Sequence, residues 1–183
     1  VTYQPKPGDI GITRISGWGG LGIRAAQWLD GCGFADFEHA YVVTEAATTW
    51  RRVMIVEAMP GGAVQVFNWH RPEETVYLRC PDEFRESVVD AAVSFAIKHT
   101  PYSELDYLAQ AAHRLHIPAP HLKAYIESSG SMICSQLADR AASLGGWHLF
   151  DDGRWDGYVP PCNLYQLYQK QEAGRFFEGG TSR

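Results

Sequence analysis

No apolar run in this sequence approaches the roughly 18 to 20 residues needed to cross a bilayer, so an integral membrane segment is not expected. The opening Val1-Thr-Tyr-Gln-Pro-Lys-Pro7 lacks the hydrophobic region of a signal peptide, and the expectation is a chain made in the cytoplasm or already processed. Basic charge is not in excess. Sixteen Lys and Arg against 21 Asp and Glu leave a net charge of -5, which argues against a bulk electrostatic grip on nucleic acid or on an anionic membrane. Cysteine is scarce: Cys32, Cys80, Cys134 and Cys162 stand far apart, with no C-x-x-C pair and no ligand-like rhythm with the seven histidines. A zinc site and a disulfide scaffold are therefore not expected, reduced thiols are, and no metal or other cofactor is called for. Internal repeats and low-complexity blocks are also missing. What is there, 45% hydrophobic and 20% charged residues over 183 positions, is the composition of one ordinary globular core. The expected organisation is a single domain over residues 1–175 followed by a flexible tail, 176–183.

Pro7-Gly-Asp-Ile-Gly-Ile-Thr-Arg14 reads as a turn and a short strand. Gly17, Gly19 and Gly22 then form a G-x-G-x-x-G ahead of a helical pattern that stops at Asp30-Gly-Cys-Gly33, formally a dinucleotide-binding fingerprint. The following segments, Glu38–Glu45, Arg51–Met59, Ala63–Trp69 and Thr75–Cys80, are strand-like and joined by tight links. Parallel crossovers need about a dozen residues, so these strands are expected to form an antiparallel meander, which a doubly wound nucleotide fold does not contain. Pro81–His99 carries Phe84, Val88, Ala92 and Phe95 on one stripe, and Ser103–His116 carries Leu105, Leu108, Ala112 and Leu115; both predict core-covering helices. His99, His113, His116 and His121 fall near their ends, where they suit free carbonyls. Gly145–Phe150 is a further possible strand, and Pro160-Pro161 opens a last helix. The class is α+β, with an antiparallel sheet of about five to six strands and helices packed on it.

The chemistry concentrates at Ser129-Ser-Gly-Ser-Met-Ile-Cys-Ser-Gln-Leu-Ala-Asp-Arg140. Its serines offer caps, and Ile133, Leu137, Ala141 and Leu144 recur at helical spacing, so Cys134 is expected in the first turn of a helix. The positive end of a helix favours thiolate, the nucleophilic form. A cysteine nucleophile needs a base, and the base needs an orienting group. Alternation along Glu38-His-Ala-Tyr-Val-Val43 groups His39 with Tyr41 and Val43; along Arg51–Ala58 it groups Glu57 with Val53 and Ile55. His39 and Glu57 on neighbouring strands, with Cys134 on a helix over the sheet, supply base, orienter and nucleophile if the register brings them together. The backbone N–H groups of Cys134 and Ser135 are candidates for an oxyanion hole.

In order, Pro7-Gly-Asp-Ile10, Glu38-His-Ala-Tyr-Val-Val43, Val56-Glu-Ala58, Ile133-Cys-Ser-Gln-Leu137 and Pro161-Cys-Asn-Leu164 resemble the permuted papain-like branch of the NlpC-type cysteine peptidases, the YiiX-like proteins. In that branch the histidine strand precedes the cysteine helix. The resemblance covers most of residues 7–168. It implies a circularly permuted papain-like fold with a cleft between the cysteine helix and the sheet, and the roles Cys134 nucleophile, His39 base and Glu57 orienting residue. It also implies amide hydrolysis in cell-wall-type peptides. The Gly17–Gly33 stretch is longer than the family pattern leads one to expect.

Three uses of this scaffold stay open at the level of sequence: a thiol amidase or endopeptidase, a lipid or acyl-ester hydrolase or transferase favoured by the six tryptophans, and a non-catalytic binding or structural member. Trp18, Tyr41 and Tyr102 are the candidate substrate contacts. The expected partner is a peptide or acyl substrate, not nucleic acid.

Overall fold

The β-branched runs of the sequence become a single open sheet. The computed structural model describes residues 3–14, 37–46, 53–102, 132–151 and 159–179. Its strands are β1 (Ile10–Thr13), β2 (His39–Glu45), β3 (Met54–Met59), β4 (Gly62–Phe67) and β5 (Thr75–Leu78), in the order β4-β3-β2-β1-β5, with every neighbouring pair antiparallel. The tight Pro60-Gly61 link, with Gly61 and Gly62 at φ +110 and +118, closes the β3–β4 hairpin.

From β2 to β4 the chain is the expected meander. β5 is not part of it, because it pairs with β1 at the far edge and not with β4. With all neighbours antiparallel, β4 and β5 point the same way, and the short-link rule that excluded this applies only to adjacent parallel strands. The connection, residues 68–74, must cross four strand spacings, roughly 19 Å at about 4.8 Å each, while seven extended residues reach roughly 23 Å. It therefore runs over the sheet with little slack, ending in a 3-10 turn at Pro72–Glu74.

The two faces of the sheet are covered differently. Alternation sends Ala40 and Val42 of β2, with Ile10, Ile12, Val56 and Ala58, into the main core under helices α1 (Arg85–Ile97) and α2 (Cys134–Leu144). The opposite face holds a smaller cluster, Tyr41, Val43, Val53, Ile55 and Tyr77, beneath the crossing segment. α1 is shorter than the 81–99 helix expected, since Asp82–Phe84 is a 3-10 turn, but the stripe is right: Val88 and Ala92 are buried, and Phe84 and Phe95 pack on the core. α2 buries small residues, Ala138, Ala141 and Ala142, which lets it lie close to the sheet, whereas Leu144 is 70% exposed and lies off the stripe. Residues 145–150 are turn and bend, not a strand; a Cβ at Gly145 would meet the Val88 side chain at 2.6 Å, so the chain turns there against α1. α3 (Pro161–Gly179) continues past residue 175, where the tail was expected to start. It covers the open edge of β5: the Gln171 amide accepts from Arg79 N and donates to Arg79 O, both at 2.9 Å, in place of a sixth strand. The expected 103–116 helix and the Gly17–Gly33 stretch lie outside the described residues.

Asp9 ties the N-terminal segment to both ends of this frame. Its fully buried carboxylate accepts from Tyr3 Oη at 2.7 Å, Lys6 N at 2.8 Å, Cys80 N at 3.0 Å and Arg85 Nη1 at 2.8 Å. A buried carboxylate is tolerable only when so fully paired.

Candidate active site

Cys134 is the first residue of α2, with Ile133 as N-cap in extended conformation. Ser129–Ser131, the expected caps, lie outside the described residues. Within them Gln136 Oε1 accepts from Ile133 N at 2.8 Å, the return half of a capping box. The first turn of the helical ladder closes from Leu137 N to Ile133 O at 2.9 Å, so the amides of Cys134 and Ser135 precede the ladder. Ser135 is buried, and its hydroxyl has no hydrogen-bond partner among the described residues.

The register that the sequence leaves open is decided where β2 and β3 part. Their pairing stops at Val42–Val56. One further step would set Tyr41 opposite Glu57, so His39 meets Glu57 diagonally, across the gap where the strands are no longer paired. His39 Nε2 donates to Glu57 Oε2 at 2.7 Å, with both side chains almost wholly buried. The opening matters because α2 packs on these two strands and brings Cys134 into hydrogen-bonding contact with the same imidazole. Since Nε2 is spent on Glu57, Nδ1 is the nitrogen left for the sulfur. Cys134, His39 and Glu57 are thus in one chain of contacts.

The electrostatics follow from that chain. Burial alone pushes the His39 imidazolium down, but the charge of Cys134 and the hydrogen bond to it, then the bond and charge of Glu57, outweigh burial and raise its pKa to about 10. Glu57 is pushed up by burial and pulled further down by hydrogen bonds from His39, His70 and Trp69, so it stays ionised, well below the usual carboxylate range. The arrangement is a cysteine beside an imidazole that is in turn backed by an ionised carboxylate. Cys80 is the contrast, its thiol pushed up to about 12 by burial, with no imidazole beside it among the described residues.

Two residues of this site were not found from sequence. Trp69 Nε1 donates to Glu57 Oε1 at 2.8 Å, and His70 Nε2 donates to Glu57 Oε2 at 2.9 Å. Both sit on the link that crosses the sheet: the strand expected over Ala63–Trp69 ends at Phe67, so Trp69 lies beyond it, and His70 belongs to a crossing segment and not to a tight link between neighbouring strands. The signal was available: Asn68-Trp-His70 places polar and aromatic residues directly after a strand, where a surface hairpin has no need of them.

Of the candidate substrate contacts, Tyr41 is corrected. It is fully enclosed, its ring stacked on His70 at 5.1 Å and its hydroxyl within 3.2 Å of both Tyr77 Oη and Asn68 Nδ2, so it supports the site from within. Gly11 makes room for that ring, since a Cβ there would lie 2.2 Å from it. Tyr102 forms an isolated bridge to Met132, two residues before Cys134, and so borders the helix start. Trp18 lies outside the described residues.

The ligand atoms of His39, Glu57 and His70 lie within 4.8 Å of one another, a donor set that zinc also uses. Tetrahedral zinc with bonds of about 2.0–2.1 Å spaces its ligands about 3.3 Å apart. Here both Nε2 atoms stand 2.7 and 2.9 Å from a single oxygen, which is hydrogen-bond spacing. The expectation of reduced thiols also needs correction. Cys162, at the start of α3, is disulfide-bonded to a partner outside the described residues, while Cys80 and Cys134 are not in disulfides. Pairing depends on three-dimensional proximity, which cysteine spacing did not reveal.

Comparison of the chain with family models, with curated proteins and with solved structures returns no match.

Proposed function

We propose that the protein is a cysteine hydrolase that works through a Cys134–His39–Glu57 triad and a thioester intermediate, on a permuted papain-like scaffold. The carrying observation is the buried run of contacts in which His39 lies between Cys134 and an ionised Glu57. In this reading the Cys134 thiolate attacks a carbonyl carbon, and the oxyanion forms against the backbone N–H groups of Cys134 and Ser135. Imidazolium His39 gives its Nδ1 proton to the leaving amine as the C–N bond breaks, which leaves a thioester and a neutral imidazole. That imidazole takes a proton from water, whose hydroxide adds to the thioester. Collapse returns the thiolate, the imidazolium and the free acid. Glu57 keeps its charge throughout and holds Nε2 protonated.

Cell-wall-type peptide amides are the proposed substrates, as the resemblance implies. The disulfide at Cys162 supports this, because disulfides persist in oxidising compartments outside the cytosol, where such peptides are found. The test is to incubate purified protein with muropeptides and, in parallel, with acyl esters and phospholipids, and to follow new amines and new acids. Expected are amine release from muropeptides, its loss in Cys134→Ala and His39→Ala, and a covalent acyl adduct on Cys134 by mass spectrometry. Acid release from the lipids alone would transfer the same machinery to acyl chemistry. Wild type no better than Cys134→Ala on every substrate refutes catalysis. Loss of activity on EDTA treatment with recovery on zinc would instead favour the His39–Glu57–His70 set as a metal centre.

A further inference from the structure

Glu57 has two carboxylate oxygens, and only one bond to one of them involves His39. The other donors come from a single dipeptide on the segment that spans the sheet. Trp69 takes Oε1 at 2.8 Å, and His70 shares Oε2 with His39 at 2.9 Å. The dipeptide is itself held in place. The His70 ring lies between the Tyr41 ring, parallel within 5° at 5.1 Å, and the Trp69 ring at 4.0 Å. The His70 amide donates to Asn68 Oδ1 at 3.0 Å, and Asn68 Nδ2 donates to Tyr41 Oη at 3.2 Å. Trp69 nonetheless keeps 55% of its surface exposed, so solvation does not dictate its place. A carboxylate held by one histidine could rotate about its last bond; one held by three donors on two oxygens cannot.

We propose, building on the thiol-hydrolase reading, that Trp69 and His70 are positioning residues that lock the Glu57 carboxylate as an ionised acceptor and thereby keep the His39 imidazolium turned toward Cys134. The groups facing His70 are His39 and Tyr41 of β2, Glu57 of β3, and Trp69 and Asn68 of its own segment, with Cys134 of α2 behind His39. His70 must donate through Nε2 to do this, which fixes its tautomer. Burial, and then the neighbouring His39 charge, hold it neutral against the opposing pull of Glu57, so the site keeps one imidazolium and not two.

The test reads the thiol and requires no substrate. The rate of iodoacetamide alkylation at Cys134, quantified on its own peptide by mass spectrometry, is measured from pH 4 to 9 for wild type, His70→Leu, His70→Gln and Trp69→Phe, with thermal unfolding as the control for folding. Wild-type Cys134 is expected to react well below the ordinary thiol pKa of about 8.5. His70→Leu should move the midpoint up by about one unit or more, a roughly tenfold loss of rate at acid pH. His70→Gln, which retains an N–H donor, should recover most of that loss, and Trp69→Phe should shift the midpoint less than His70→Leu. Packing alone would lower the unfolding temperature without moving the midpoint. Unchanged profiles in folded His70→Leu and Trp69→Phe, or equal shifts in Leu and Gln, overturn the proposal. If His70→Leu does not fold, Trp69→Phe and His70→Gln decide it: an unmoved Trp69→Phe midpoint, or a His70→Gln midpoint raised by a full unit, counts against. If hydrolysis is absent while these shifts appear, the hydrolase reading alone fails.

Discussion

Replacing Glu57 with Gln isolates the carboxylate charge, because size and shape are kept. The side chain then has one acceptor oxygen where three donors converge: Trp69 Nε1 on one side, His39 and His70 Nε2 on the other. If the oxygen faces the histidines, the new NH2 opposes Trp69; turned round, it opposes both imidazoles. At least one hydrogen bond to a charged group is lost, worth about 1.5–3 kcal/mol, together with the countercharge of His39, whose removal from a buried pair costs about 3–5 kcal/mol. Cys134 still faces His39, so the expected loss lies near the low end, about 3 kcal/mol. Its pH dependence is fixed in sign. His39 is raised from 6.5 to about 10, so its contribution is whole below pH 6.5 and lost as pH rises through about 10. Glu57 is held below its ordinary 4.5, so its contribution is whole above pH 4.5 and lost as pH falls below it. Urea unfolding of wild type and variant should therefore differ most between pH 4.5 and 6.5 and converge toward pH 10. A difference under about 1 kcal/mol at pH 5.5, or one unchanged up to pH 10, refutes the ion-pair account.

Other outcomes follow from the frame around the site. Gly11→Ala puts a Cβ 2.2 Å from the Tyr41 ring, so it should cost about 1–3 kcal/mol in urea unfolding and also slow Cys134 alkylation by displacing the ring that stacks on His70. Asp9→Asn leaves Arg85 and three further donors facing a neutral amide, with an expected loss of about 3–5 kcal/mol, whereas Asp82→Asn, at the exposed end of the same arginine, should leave the unfolding midpoint essentially unmoved. Thiol titration in denaturant should find two of the four cysteines reactive before reduction and four after; four at the outset would remove the disulfide at Cys162.

Much of this protein is written locally. Ile10–Thr13, His39–Val43 and Ile55–Ala58 are recognisable as strands because their alternation survives in the fold, with Glu57 and His39 on the face named for them. Cys134 in a first helical turn is equally local, set by the spacing of Leu137 and Ala141, and Gln136 closes back on Ile133 N there. Tertiary structure decided the rest, because those features depend on which distant segments meet. β5 belongs beside β1 because a seven-residue link has enough reach to cross the sheet, and periodicity carries no record of partner choice. The loss of pairing beyond Val42–Val56, which lets His39 reach both Glu57 and Cys134, is likewise a property of three elements packed together. In sequence Trp69 looks like the end of a strand and His70 like part of the link after it; only the path of the chain over the sheet brings them onto the carboxylate.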